Sequence, residues 1–178
     1  LFRVAATAPV GSGGLLFLPW LMGSLAPAPN FGLRGAFLGI SMDTTRADLI
    51  RAVLEGVALQ MRWVVDEAEQ LLDVHFATLR FAGGGAQSDV WAAIIADVLG
   101  RPIEQVADPR HANCRGAGLL GLLSLGVITS GNLDALVPIR RRYVPDAEAT
   151  SLFGERTLLY RDLHASLAQP MTRLRRRP

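Results

Sequence analysis

The sequence predicts an α/β fold. Strand-like and helix-like patterns alternate along the chain, a run of glycines joins one strand to the helix after it, and proline or glycine stops most of the short apolar runs. With 178 residues, 50% of them hydrophobic, the chain can bury one substantial core and not two. The expected organisation is one domain over residues 1–178, in which 143–178 form a C-terminal helix and a basic tail.

Glycine and proline punctuate the stretch from Phe2 to Ile40 and predict short strands and loops there. Gly14 to Pro19 reads as a brief buried strand stopped by proline, and Gly35 to Ser41 as another. Asp43, Thr44 or Thr45 then caps a helix running to about Leu72, because Ile50, Val53, Val57, Met61, Val64, Ala68 and Leu71 recur every three or four residues. That stripe is expected to pack on the core with Arg51, Arg62, Asp66 and Glu69 left wet. Met61 and Trp63 read as packing residues.

A strand over 77–82 leads into Gly83, Gly84, Gly85 and Ala86, and a helix follows from Ser88 to Leu99. Asp89 falls in its first turn, Val90, Ile94, Ile95 and Val98 supply its buried face, and Gly100 ends it. Residues 102–107 read as the next strand, and Gly116 to Leu125 as a helix of small and apolar residues packed against a sheet. Beyond Pro145 a last amphipathic helix carries Leu152, Leu158, Leu159, Leu163 and Leu167.

All 18 basic residues are arginine, which excludes P-loop phosphate binding, Schiff-base chemistry and a Lys–Glu kinase pair within this chain. The net charge is only +2, and its excess sits at Arg140, Arg141, Arg142 and at Arg173, Arg175, Arg176, Arg177. Neither cluster is interleaved with aromatics, so each reads as a solvated helix end or terminus and no nucleic-acid partner is expected. No apolar run reaches the roughly 20 residues of a membrane span, so no membrane is expected either. With a lone Cys114 and no cleavable signal, the cytoplasm is the expected location. The opening at Leu1 looks like the middle of a protein, and missing upstream sequence is expected.

His75, His111 and His164 are scattered, one cysteine cannot build a thiolate cage, and no Gly-x-Ser-x-Gly elbow occurs. Cys114, three residues from His111, reads as a packed cysteine. The chemical signal lies in the glycines, because backbone without Cβ atoms lets N–H groups approach a phosphate or nucleotide beside a helix N-terminus. A tight strand-to-helix turn demands the same glycines for conformation alone. A dinucleotide site is a rival: Gly83, Gly85 and Ser88 approximate G-x-G-x-x-G with Asp108 at a ribose partner's distance. Its third glycine is absent, and the strand before it carries Arg80.

Taken in order, these segments resemble the second half of the FGGY carbohydrate kinases, of the xylulokinase kind. The family's C-terminal signature is matched by Gly35, Phe37, Gly39, Ile40, Asp48, Leu49, Ala52, Val53, Leu54 and Glu55. Gly14 to Leu21 resembles its "GLLFLPYL" segment and Leu33 to Phe37 its "ARGxF". Gly83 to Ser88, Trp91 and Ala96 to Gly100 resemble "GGGAxSxxW…ADVLG", and Gly116 to Leu120 resembles "GAAxL". Where xylulokinase-like members read Gly-Glu-Arg before Thr/Ser-Pro, this chain has Gly23, Ser24, Leu25, Ala26 and Pro27, and the family's small and acidic residues are missing around Asn113, Cys114 and Arg115.

The resemblance implies the second domain of an actin-like ATPase, ribonuclease H-like, with a mixed sheet flanked by helices, the chain being a fragment of a two-domain kinase. It further implies transfer of the ATP γ-phosphate, with Mg²⁺, to a hydroxyl of a sugar or polyol such as D-xylulose or a related ketopentose. Carried over by position, the nucleotide-binding set is Gly83, Gly84, Gly85, Ala86, Ser88 and Asp89, with Ser88 and Asp89 near adenine or ribose. The catalytic aspartate belongs to the missing N-terminal domain, so no catalytic residue and no metal ligand is expected here, and the chain alone is expected to be inactive. Asp48 and Glu55 are structural by the same comparison, and Arg34 reads as a surface ion pair. Arg140 to Arg142 stand between an interdomain and a dimer contact, and an isolated half exposing its interdomain face is expected to self-associate as a homodimer. A non-catalytic actin-like nucleotide-binding module and a dinucleotide-binding oxidoreductase domain stay as readings from other classes.

Overall fold

The computed structural model describes residues 1–175; Arg176 and Arg177 of the basic tail lie outside the described residues. A short helix α1 (Phe2–Ala5) opens the chain where only strands and loops were expected, and strands β1 (Leu16–Leu18) and β2 (Ala36–Leu38) follow as an antiparallel pair. Helix α2 (Arg46–Leu72) is the longest element. Of its three candidate caps Thr45 is the one used: its Oγ1 accepts from the Asp48 amide at 3.2 Å while the Asp48 carboxylate accepts from the Thr45 amide at 2.9 Å. The Thr45 hydroxyl, and then its amide, hold the Asp48 carboxyl below the ordinary range.

Strand β3 (Leu79–Phe81), helix α3 (Asp89–Leu99) and strand β4 (Ile103–Val106) form a parallel β-α-β unit. Helix α4 (Ala112–Ser124) follows, then strand β5 (Ile139–Tyr143), helix α5 (Ala147–Ser166) and helix α6 (Ala168–Arg175). The sheet order is β3-β4-β5, and β5 runs antiparallel to β4, so the sheet is mixed. Register puts Leu79, Phe81, Ile103, Gln105 and Tyr143 on the face turned to α3, and Arg80, Glu104 and Arg142 on the opposite, wet face.

Several expectations are corrected. The buried face of α2 is Arg51, Ala52, Glu55, Ala58, Leu59 and Trp63, whereas Val64 and Leu71 are exposed and Val57 and Met61 half-buried. Arg51, expected to be wet, is 7% exposed. The reason is an interior ion pair: Arg51 Nε donates to Glu55 Oε1 at 2.6 Å, and Arg156 Nη1 lies 3.7 Å from Glu55 Oε2. The same carboxylate accepts from the Gly11 amide at 3.0 Å and the Ser12 hydroxyl at 2.8 Å. It thereby holds a turn in which Gly11, Ser12, Gly13 and Gly14 all have positive φ, between 52° and 93°.

Further corrections concern the second half and Arg34. Helix α4 buries none of its residues, so it does not pack against a sheet within this chain, and Cys114 on it is exposed rather than packed. Arg140 to Arg142 lie in β5 instead of ending a helix. Leu158 and Leu159 of α5 are exposed, and its buried positions are Ala149, Phe153, Thr157, Tyr160 and His164. Arg34 donates to the Phe31 and Leu33 carbonyls rather than to an acid.

The core between α2 and α5 is aromatic. Trp20 meets the Tyr160 and His164 rings edge-on at 5.3 and 5.2 Å, and Trp63 meets His164 at 4.9 Å. Gln60 Oε1 satisfies the polar ends, accepting from Trp20 Nε1 at 2.9 Å and from the Tyr160 hydroxyl at 2.7 Å. Burial pushes the Tyr160 phenol up and the His164 imidazole down. Helix α3 is enclosed between α2 and α5 through Ala92, Ile95, Ala96 and Val98, and Gly100, at φ 64°, ends it as expected.

Removing one partner of a buried ion pair leaves the other uncompensated, so Glu55→Ala is expected to cost about 3–5 kcal/mol of stability, read as a lowered urea midpoint. At the other end of α2, Glu69 accepts from Arg101 Nη2 at 3.1 Å and from the Phe76 amide at 2.6 Å, and these contacts, Arg101 first, lower its carboxyl from 4.5 to about 2. A carboxylate depressed on folding stabilises fully above its unfolded pKa and loses that contribution as pH falls through the folded one. The difference in denaturation midpoint between wild type and Glu69→Gln is therefore expected to hold steady near neutral pH and to shrink on acidification from 4.5 towards about 2.

Candidate functional site

The chain leaves β3 through Gly83, whose φ of 88° and ψ of −172° only glycine adopts readily. Gly84–Gln87 then form a single 3-10 turn, a tighter structure than an open glycine loop. Its bonds run from the Ala86 amide to the Gly83 carbonyl at 3.2 Å and from the Ser88 amide to the Gly85 carbonyl at 3.1 Å. The Gly83 amide donates to the Pro109 carbonyl at 2.9 Å, tying the turn to the 3-10 turn Pro109–His111 that follows β4. Ser88 caps α3, its Oγ accepting from the Trp91 amide at 3.2 Å.

The six residues singled out in the sequence thus share one turn, with different surroundings. Ala86 is fully buried and Ser88 is 6% exposed. A Cβ on Gly85 would lie 2.2 Å from the Trp91 ring, so the glycine there lets the indole close over the turn. A Cβ on Gly83 or Gly84 would meet nothing within 4 Å. Bare backbone therefore faces open space at Gly83 and Gly84, beside the N-terminus of α3 and the half-exposed Asp89.

Asp89 is held by groups that sequence reasoning missed. Gln105 Nε2 donates to Asp89 Oδ1 at 3.2 Å, and Arg140 Nη2 and Arg141 Nη1 approach the carboxylate at 3.5 and 3.7 Å. Tyr143, then Gln105, then the two guanidinium groups lower the Asp89 carboxyl below the ordinary range. The signal for this cluster was the alternation Ile139, Arg141, Tyr143, a strand period hidden inside a charge run.

Asp108, the acid of the dinucleotide reading, sits beside the turn at φ 48° and pairs with His111 Nδ1 at 2.9 Å. Arg115 Nη2 donates to the Ala107 carbonyl at 3.0 Å. Among the described residues, no three His, Cys, Asp or Glu side chains come together as a metal cluster, and no helix is long and apolar enough to cross a membrane.

Residues 1–125 match the family model for the FGGY family of carbohydrate kinases, C-terminal domain. The chain belongs to the FGGY family. It is 30% identical to a gluconokinase of Bacillus licheniformis over 175 residues, which is 98% of this chain and 34% of that enzyme. It is 35% identical to the L-xylulose/3-keto-L-gulonate kinase of Escherichia coli over 169 residues, 93% of this chain and 32% of that enzyme. Among solved structures, xylulose kinase from Rhodospirillum rubrum superposes with a TM-score of 0.76 at 30% identity, covering 96% of this chain and 34% of that one. Gluconate kinase from Lactobacillus acidophilus does so at 0.79 and 25% identity, over 93% and 34%. The FGGY domain therefore has the actin-like ATPase fold that the resemblance implied, and the chain spans about a third of the length of the curated relatives it matches. In this fold the glycine turn is a strand-to-helix connection without the dinucleotide fingerprint's third glycine, since Ser88 stands there as a helix cap.

The two faces of the turn respond differently to a methyl group. Gly84→Ala is expected to leave the denaturation midpoint unchanged, whereas Gly85→Ala, forced against the Trp91 ring, is expected to lose about 1–3 kcal/mol in the same measurement.

Proposed function

We propose that this chain, residues 1–178, is the nucleotide-binding domain of an ATP-dependent sugar kinase, with 143–178 as its C-terminal helix and basic tail. The complete enzyme transfers the γ-phosphate of ATP to a hydroxyl of a sugar or polyol, D-xylulose or a related ketopentose. The observation that carries this reading is the bare backbone of Gly83 and Gly84 beside the α3 N-terminus, in a domain of the FGGY family. Gly83, Gly84 and Asp89 meet the nucleotide, and Gly85, Ala86 and Ser88 shape the turn that presents them. Asp89 is ionised at neutral pH and accepts hydrogen bonds from ribose hydroxyls or an adenine amine.

ATP supplies the phosphoryl group, and Mg²⁺ travels with its phosphates without a ligand from this chain. The carboxylate base belongs to the remainder of the enzyme, so this chain contributes binding and orientation rather than proton transfer. That remainder also covers α4 and the residues just after it, where Leu120, Leu122, Leu125 and Val127 stand exposed, a patch that in isolation would favour a homodimer. The cytoplasm, where ATP and free sugars meet, is its place.

The names of the relatives cover gluconate, L-xylulose, xylulose and glycerol as substrates of those enzymes. The test is phosphoryl transfer by the complete protein with ATP and Mg²⁺ across xylulose, ribulose, glycerol and gluconate. Turnover fastest on a ketopentose is expected; nucleotide binding with no turnover on any would overturn the kinase reading. In the active enzyme, Gly84→Val is expected to raise the ATP KM about tenfold with the sugar KM unchanged, because its side chain occupies the open space beside the turn.

A further inference from the structure

We propose that Gln105 is the positioning residue of the nucleotide turn, the buried side chain that sets where Gly83, Gly84 and Asp89 stand. This inference rests on the reading of that turn as nucleotide-binding surface. Gln105 lies in β4, the central strand of the sheet, and is 0% exposed. Its Nε2 donates to the Ala86 carbonyl at 2.6 Å and to Asp89 Oδ1 at 3.2 Å, and its Oε1 accepts from the Tyr143 hydroxyl at 3.3 Å. One amide therefore ties β4 to the middle of the 3-10 turn, to the first residue of α3 and to β5.

The chemistry fixes its orientation. A carbonyl and a carboxylate can only accept, so the amide nitrogen must face Ala86 and Asp89, and the oxygen is left for the Tyr143 hydroxyl. Neither contact is available to an apolar residue, although an apolar residue is what a buried, central strand position ordinarily holds. Burying an amide is costly unless it is satisfied, and here it is satisfied by the glycine turn rather than by the sheet's own ladder.

The turn has few other restraints on that side. Gly83 and Gly84 carry no side chains to pack, and Gln87 is exposed, its side-chain amide returning to the Gly84 carbonyl at 3.0 Å. Without Gln105 the Ala86 carbonyl loses a buried donor, and Asp89 keeps only the Tyr143 hydroxyl and the guanidinium groups of Arg140 and Arg141, which are 51% and 62% exposed. The affected atoms are those facing the nucleotide, so nucleotide affinity changes and sugar affinity does not.

The test compares wild type, Gln105→Leu, Gln105→Glu and Tyr143→Phe in the complete enzyme. It follows binding of a non-hydrolysable ATP analogue by calorimetry, backbone amide exchange over 83–89 without nucleotide, and the KM of the sugar. Gln105→Glu keeps the shape and the acceptor but loses the donor, and it sets a second carboxylate against Asp89. Both Gln105 variants are expected to weaken the analogue about tenfold and to speed exchange over 83–89, leaving α2 exchange and the sugar KM unchanged. Tyr143→Phe, which frees the amide to turn and also takes a hydroxyl from beside Asp89, is expected to weaken the analogue about threefold. Wild-type affinity in a folded Gln105→Leu, or equal loss of nucleotide and sugar affinity, would overturn the proposal. If Gln105→Leu does not fold, unchanged affinity and exchange in Tyr143→Phe would overturn it. A wild type that binds no analogue would instead sink the nucleotide reading itself, and this proposal with it.

Discussion

The architecture depends on the enclosure of α3 between α2 and α5. Ala92 and Ala96 are fully buried, and their small side chains let neighbouring helices approach the α3 backbone closely, while Ile95 and Val98 fill the space beside them. The helix is held at its end as well, where Arg62 Nη1 donates to the Val98 carbonyl at 2.9 Å and Thr150 Oγ1 to the Asp97 carbonyl at 3.2 Å. A helix gripped on both sides cannot slide or roll by much. Its N-terminus therefore presents the glycine turn at a fixed place beside the end of β4, which is the condition for a backbone surface to recognise a ligand without side chains.

A second constraint operates in the interior of the first half. Glu55 is a buried charge answered by Arg51, Arg156, an amide and a hydroxyl, and it is these bonds that keep four consecutive residues in the left-handed region. Such a turn would not persist on local preference, because Ser12 at φ 52° lacks glycine's freedom. The family signature residues Asp48 and Glu55 thus have physical work that is structural: one caps α2, and the other clamps the turn ahead of β1 onto it.

Elements bounded by strong punctuation were legible in the sequence. Thr45, Gly100 and the glycine run delimit α2, α3 and the turn between β3 and α3, and the residues of that turn were identified by position. What was not legible was the content of the faces. A hydrophobic stripe pointed to Val57, Met61 and Val64, yet α2 buries Arg51 and Glu55 because each neutralises the other, a pairing that periodicity cannot register. In α5 the leucines at 158 and 159 pointed outward while Thr157 and His164 went inside, each satisfied by a backbone carbonyl, of Phe153 and Ala28 respectively. The site was half legible for the same reason: glycines advertise themselves, but Gln105, Arg141 and Tyr143 reach the turn only through sheet register.

The exposed apolar side of α4 and the wet face of Arg80, Glu104 and Arg142 show two different edges of this domain. The second is a finished surface, with Arg80 paired to Glu104 and Asp134, whereas the first has the composition of an interior. A chain spanning a third of its relatives fits that asymmetry. The most direct measurement is a crystal structure of the complete protein with Mg²⁺ and a non-hydrolysable ATP analogue. The account predicts the nucleotide in van der Waals contact with the Gly83–Gly84 backbone and hydrogen-bonded to Asp89; a nucleotide bound elsewhere, leaving that turn bare, would contradict it.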